Sequence, residues 1–205
     1  MRDMGTSRVT RRDMRREATK AAVLDAARKV FLAQGFDGAT IKMIADEAGV
    51  SPGTVLNAEP SKAALLVAIL RKEYQAMAEA CEQMEAALSG PATERLSTLL
   101  HVLLEAHSRH AELFAAAIGH AWLVSDPTYQ AAFEKMEFAW ASVRRTLQSG
   151  IAAGELRADL DVEQAFCVLN DLVLGALREA RKDGGEDPRE ALSRRLAVIV
   201  GGLRA

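Results

Sequence analysis

From Val23 onward the apolar residues of this 205-residue chain recur three and four positions apart and almost nowhere in alternation, which predicts helices throughout. Val23, Ala26, Ala27, Val30 and Phe31 mark a helix from about Arg16 to Gln34, closed by Gly35 and Phe36 in a glycine-then-hydrophobe stop. Ile41, Ile44, Ala45 and Ala48 form one stripe of a short second helix. Thr40 stands at its N-cap position and Gly49 ends it. Ser51 and Pro52 suit the N-cap and first turn of a third helix, which Pro60 bounds. Two short helices joined by a three-residue turn have the form of a helix-turn-helix, and Gly53, Thr54 and Asn57 give the second of them a small, polar surface suited to lying close to a duplex.

The pattern continues in longer segments. Ser61 can cap a helix bearing Leu65, Leu66, Ile69, Leu70, Met77, Cys81, Met84 and Leu88, ended by Gly90 and Pro91. Leu96, Leu99, Leu100, Leu103 and Leu104 follow on another, then Leu113, Phe114, Ile118 and Trp122. Asp126 and Pro127 open a helix carrying Tyr129, Phe133, Met136, Trp140, Val143, Leu147 and Ile151, closed by Gly154. The last two helices start at Asp161 with Gln164 and at Asp187-Pro188 with Glu190. Val162, Phe166, Leu169, Val173 and Leu177 line the first of these, and Leu192, Leu196, Ile199, Val200 and Leu203 the second. Faces this apolar on terminal helices predict burial against a second copy, hence a two-fold homodimer through the two C-terminal helices. The expected fold is all-α: a disordered basic arm at 1–14, a three-helix helix-turn-helix domain at 15–62, and a helical effector-binding and dimerisation domain at 63–205.

Composition sharpens this picture through charge. The net charge is only −2, but residues 1–62 hold eleven Lys and Arg against eight Asp and Glu, and the remainder fifteen against twenty. A basic front and an acidic rear suit a head that meets phosphate and a body that avoids it. Arg15 and Arg16 adjoin the arm and are candidate phosphate contacts. Charges interrupt every apolar run well before about 18 residues, so no membrane span is expected and a cytoplasmic protein follows. Cys81 and Cys167 lack C-x-x-C spacing and read as small hydrophobes. No phosphate loop, zinc-protease motif or nucleophile elbow is present, so neither catalysis nor a cofactor is expected. His101, Glu105, His107 and His110 lie close in sequence but read as ordinary polar groups, and no metal site is assigned.

The string KAAVLDAARKVFLAQGFDGATIKMIADEAGVSPGT, followed by Lys62, resembles the DNA-binding domain of the tetracycline-repressor (TetR) family of bacterial regulators, and GELRADLDVEQA is similar to that family's linker into its penultimate helix. The resemblance implies a homodimeric, ligand-released repressor on a palindromic operator. It implies that Thr40 and Lys42 meet the DNA backbone, that Ser51, Gly53, Thr54 and Asn57 sit on or near the recognition surface, and that Lys62 ends the contact on a phosphate. Asn57 has the donor and acceptor to read an adenine edge. The chain departs from the family pattern at Leu56, Ala58 and Glu59, where an aromatic-rich sequence is usual. Leucine cannot hydrogen-bond a phosphate, and Glu59 is expected to turn toward solvent. These three residues motivate an alternative, a small-molecule-binding dimer whose head has a weakened or lost DNA function. In the body, Trp122, Phe133, Met136, Trp140, Phe166 and Asn170 are candidates for lining a cavity for a small apolar or amphipathic effector; core packing accounts for the same residues.

Overall fold

The computed structural model describes residues 10–122 and 137–203, and among these every regular element is helical. The α-helices are α1 (Arg11–Gly38), α2 (Ile41–Ala48), α3 (Pro52–Ala58), α4 (Lys62–Ala87), α5 (Ala92–Ser108), α6 (Ala111–Trp122), α7 (Ala141–Ala152), α8 (Val162–Ala180) and α9 (Pro188–Leu203), with a 3-10 turn at Glu137–Trp140 leading into α7. The described residues form two compact units. The first comprises α1–α3, α4 up to Leu70 and α6 from Ala115; the second comprises α4 from Arg71, α6 up to Phe114, α5 and α7–α9. The helix-turn-helix unit thus takes in more chain than a boundary at residue 62 allows, because Leu65, Leu66 and Leu70 are fully buried.

Local signals set the helix ends of the first unit. Helix α1 starts at Arg11, ahead of the expected start at about Arg16: the Thr10 hydroxyl accepts from Asp13 N–H, and the Asp13 carboxylate accepts from Thr10 N–H. That reciprocal capping box satisfies two orphan donors and makes helix of residues 11–14, which the sequence reading placed in the arm. Residues 1–9 lie outside the described residues. Gly35 breaks the helix at φ 72, ψ 162, as expected of the glycine stop. Gly49 takes the left-handed conformation (φ 66, ψ 32) after α2, and Val50 N–H reaches back 3.0 Å to the Ala45 carbonyl. Helix α1 packs on α2 and α3, burying Val23, Ala27, Phe31, Ile44 and Val55.

In the second unit α5 packs against α7, α8 and α9, around Leu99, Leu100, Leu103, Val143, Leu147, Val173 and Leu192, all without exposed surface. Pro91 offers α5 no side-chain cap, and the Glu155 carboxylate, 63 residues away, accepts from Ala92 N–H instead. Gly150 makes that approach feasible, since a Cβ there would lie 2.7 Å from Ala92 Cβ. The apolar stripes read from the last two helices are largely consumed inside the chain. Phe166, Leu169, Val173, Leu192, Leu196 and Leu203 are buried, and the large apolar residues left out are Val168, 43% exposed, and Val198, 79% exposed. Together with Ala165, Leu160 and Ile199 these two line an open groove of about 430 Å³ at the α8–α9 face.

His107 of α5 is 1% exposed, its Nδ1 2.7 Å from the Leu103 carbonyl and its ring against Tyr74, Phe114 and Trp140. Burial pushes its pKa down from 6.5 to about 4, so the folded protein holds it neutral while the unfolded chain protonates first on acidification. Stability is therefore whole above pH 6.5 and falls between 6.5 and 4, by about 3 kcal/mol from this group. Melting curves at pH 7 and pH 5 measure the loss, and His107→Phe is expected to flatten it.

Candidate nucleic-acid interface

Helix α3 presents its residues in two classes. Val55 is fully buried under α1 and α2, while Gly53, Leu56 and Asn57, at i, i+3 and i+4, are exposed on one face. Ser51 caps the helix, its hydroxyl accepting from Thr54 N–H at 3.1 Å and lying 2.9 Å from the Thr54 hydroxyl. Thr54 is thus half-buried and oriented by its neighbour rather than projecting freely. Thr40 plays the same capping part for α2, accepting from Met43 N–H at 3.2 Å, and remains exposed, as does Lys42 in the first turn.

Beside α3 runs an open groove of about 410 Å³ whose walls are Arg12, Arg15, Arg16, Glu17, Thr19 and Lys20 of α1 and Thr54, Asn57 and Ala58 of α3, basic on balance with one carboxylate among four cations. Arg12, Arg16 and Lys20 fall at i, i+4 and i+8, one stripe of a helix. The structure thereby brings two of the expected contacts, Arg15 and Arg16, alongside Asn57 and adds Arg12. The signal for Arg12 was present in the sequence as Thr10-x-x-Asp13, a helix-start signature that makes the arginine spacing meaningful.

Two residues take places other than those expected. Glu59 does not turn to solvent: its side chain is 16% exposed, and Oε1 lies 2.8 Å from Lys20 Nζ. The carboxylate is neutralised by a lysine on α1, so it neither sits unpaired nor confronts a phosphate with a bare charge. Charge reversal at either residue alone (Lys20→Glu or Glu59→Lys) is expected to destabilise the first unit by about 1 to 2 kcal/mol, and the double reversal to recover most of it. Thermal melts of the three variants test this.

Lys62 is the second correction. Its ammonium donates to three carbonyls in the α1–α2 connection, Phe36 at 2.7 Å, Ala39 at 3.1 Å and Asp37 at 3.3 Å, and lies 4.5 Å from the centre of the Phe36 ring. An ammonium has three protons, and all three have acceptors here, so Lys62 holds the turn together instead of gripping a phosphate. Phe36 is also packed on Phe31 and edge-on to His120 of α6, whose Nε2 is 3.5 Å from Asp37.

The candidate effector residues are only partly described. Phe133, Met136 and the side chain of Trp122 lie outside the described residues. Trp140 and Phe166 are buried, with ring centroids 5.6 Å apart, and the Arg144 guanidinium covers Phe166 at 3.7 Å while pairing with Glu163. Phe166 is therefore in contact with both an indole and a guanidinium. Asn170 is half-buried on α8. The histidines are engaged separately, His101 with Ser193 and Ser97, His107 as above and His110 with Glu73. Among the described residues no group of His, Cys, Asp and Glu is placed to hold a metal, and no helix is long and apolar enough to cross a membrane.

Comparison with known proteins agrees with this architecture at both ends of the chain. Residues 23–69 match the family described as bacterial regulatory proteins, tetR family, and residues 92–196 match the tetracyclin repressor-like C-terminal domain. The chain is 28% identical to the HTH-type transcriptional repressor KstR2 of Rhodococcus jostii, over 90% of each protein, and 26% identical to the HTH-type transcriptional regulator UidR of Escherichia coli K12, over 91% of this chain and 93% of that one. Among solved structures, Thermus thermophilus FadR, a TetR-family transcriptional repressor in complex with lauroyl-CoA, aligns with a TM-score of 0.72 at 29% identity, covering 91% of this chain and 95% of that one. A helix-turn-helix with arginines beside its second helix, and two family matches that span both units, lead to one conclusion: the chain belongs to the TetR family of bacterial transcriptional regulators.

Proposed function

We propose that the chain is a ligand-responsive repressor that binds a palindromic operator as a homodimer, with the helix-turn-helix head meeting DNA and the helical body holding the effector and the dimer contact. The observation that carries the reading is the groove in which Arg12, Arg15 and Arg16 stand beside Asn57. Guanidinium groups position a protein on phosphates, and an exposed asparagine on the adjoining helix reads a base edge. Thr40 and Lys42 extend the backbone contacts along α2, and Ser51, Gly53 and Thr54 form the near side of α3. The alternative of a head without DNA function loses its main support with Glu59, whose charge is met by Lys20.

The effector belongs to the apolar or amphipathic class. A long-chain acyl thioester fits that class, and the related FadR binds lauroyl-CoA. The two-fold contact is assigned to α8 and α9, where Val168 and Val198 stand out of the protomer.

Selection from a random duplex pool, followed by titration of the enriched duplex at several salt concentrations, tests the DNA reading. A palindromic site with nanomolar-range affinity is expected, and binding without sequence preference even at low salt overturns it. Titrating the complex with lauroyl-CoA, free laurate and coenzyme A tests the effector class: release by the thioester alone supports it, and release by none removes acyl thioesters.

A further inference from the structure

We propose that Leu56 reads the methyl group of a thymine in the major groove, next to the base pair read by Asn57. The inference rests on the DNA-binding reading above and adds what the operator must contain.

Leu56 is 45% exposed in the middle of α3. A single exposed leucine is ordinary on a protein surface. This one shares a face with Gly53 and Asn57, and Gly53 has no reason within the chain to be glycine. Its backbone is not left-handed, and a Cβ would meet only Ser51 Oγ, at 3.8 Å. A helical glycine costs stability relative to alanine, so the bare backbone serves an approach from outside. Gly53, Leu56 and Asn57 thus offer, on one exposed face, bare backbone, an isobutyl group and an amide.

Charge says what meets that face. Arg12, Arg15 and Arg16, with Glu17 among them, line the groove on the adjoining side of α3 at Thr54, Asn57 and Ala58, so that Asn57 belongs to both, and Lys42 is exposed on α2. The occupant is a polyanion that displays one apolar group among polar edges. On the floor of the major groove that group is the thymine C5-methyl, the feature that sets thymine apart from every other base edge there. Leucine has no hydrogen-bonding group for a phosphate, but it has the right length and chemistry to exclude water from a methyl. The departure from the aromatic pattern at this position is thus a choice of operator rather than a loss of contact.

The test uses the full-length protein and the duplex it enriches from a random pool. Each thymine of a half-site is replaced singly by deoxyuridine, which removes the methyl and keeps the pairing. One position is expected to weaken wild-type binding about fourfold, the effect of one buried methyl. The same replacement is expected to change binding by Leu56→Ala by less than about twofold, while the exposed position leaves the melting temperature of that variant unchanged. Indifference of the wild type to every deoxyuridine overturns the proposal. So does a penalty that persists in Leu56→Ala, which assigns the methyl to another side chain or the leucine to a sugar. Failure to enrich any duplex overturns the DNA-binding reading itself and is seen before any deoxyuridine is introduced.

Discussion

Val198→Asp is expected to convert the protein to a monomer and to lower operator affinity by about a hundredfold or more. The valine is 79% exposed and makes little of the protomer's own core, so the substitution leaves the fold and its far-UV circular dichroism intact. In the proposed dimer the same position occurs twice about the two-fold axis. Two added carboxylates would then be buried in the contact, in a groove that already carries Asp159 and Asp161, each at a cost of several kcal/mol. A dimer contact that rests on Val168, Val198 and the shallow groove between α8 and α9 does not absorb that. Loss of the second head removes the gain from tethering two half-site contacts, which sets the scale of the affinity loss. Sedimentation equilibrium and operator titration on the same preparation measure both effects. A variant that stays dimeric would sink the assignment of the interface to α8 and α9.

Lys62→Met lowers stability by about 2 to 4 kcal/mol and leaves the salt dependence of operator binding unchanged. The methionine keeps the alkyl stem over Phe36 but removes a charged donor from the carbonyls of Phe36, Asp37 and Ala39, two of those bonds being part-buried. Hydrogen bonds from charged groups contribute about 1.5 to 3 kcal/mol each, and losses within one cluster are not additive. A phosphate ligand behaves in the opposite way. Arg12→Ala and Arg16→Ala are each expected to reduce the slope of log affinity against log salt by about 0.9 per half-site without moving the melting temperature. Urea titrations and salt series on the three variants separate a lysine that holds a turn from arginines that hold DNA. A Lys62→Met protein with wild-type stability and a reduced salt slope would restore the phosphate role.

The same lysine belongs to a cluster around Phe36. Phe36 is the meeting point of Phe31, Lys62 and His120, so the α1–α2 connection is bound at once to the start of α4 and to the far part of α6.

The residues differ in how plainly they could be read from the chain. Thr40, Gly49, Ser51 and Pro52 announced α2 and α3 because a cap or a left-handed glycine acts within three or four residues, a range a sequence window covers. The start of α1 was legible by the same rule in Thr10 and Asp13, and the dense arginines obscured it. Asn57 and Gly53 were read as surface from their small, polar character, and they are exposed. The all-helical class followed from the period of the apolar residues alone.

Partnership between distant residues was decided only by the tertiary structure. Nothing near Glu59 in the chain foretells Lys20, and nothing near Lys62 foretells three carbonyls 23 to 26 residues earlier. The cap on α5 comes from Glu155, 63 residues downstream. Likewise the stripes of α8 and α9 predicted apolar faces, but which of those residues α5 would cover, and that Val168 and Val198 would be left outside, depended on how the helices pack. Caps and periods are properties of a local stretch of backbone and survive in any context. A charge or an apolar side chain acquires its role only when folding chooses its neighbours, and that choice is made by the whole core at once.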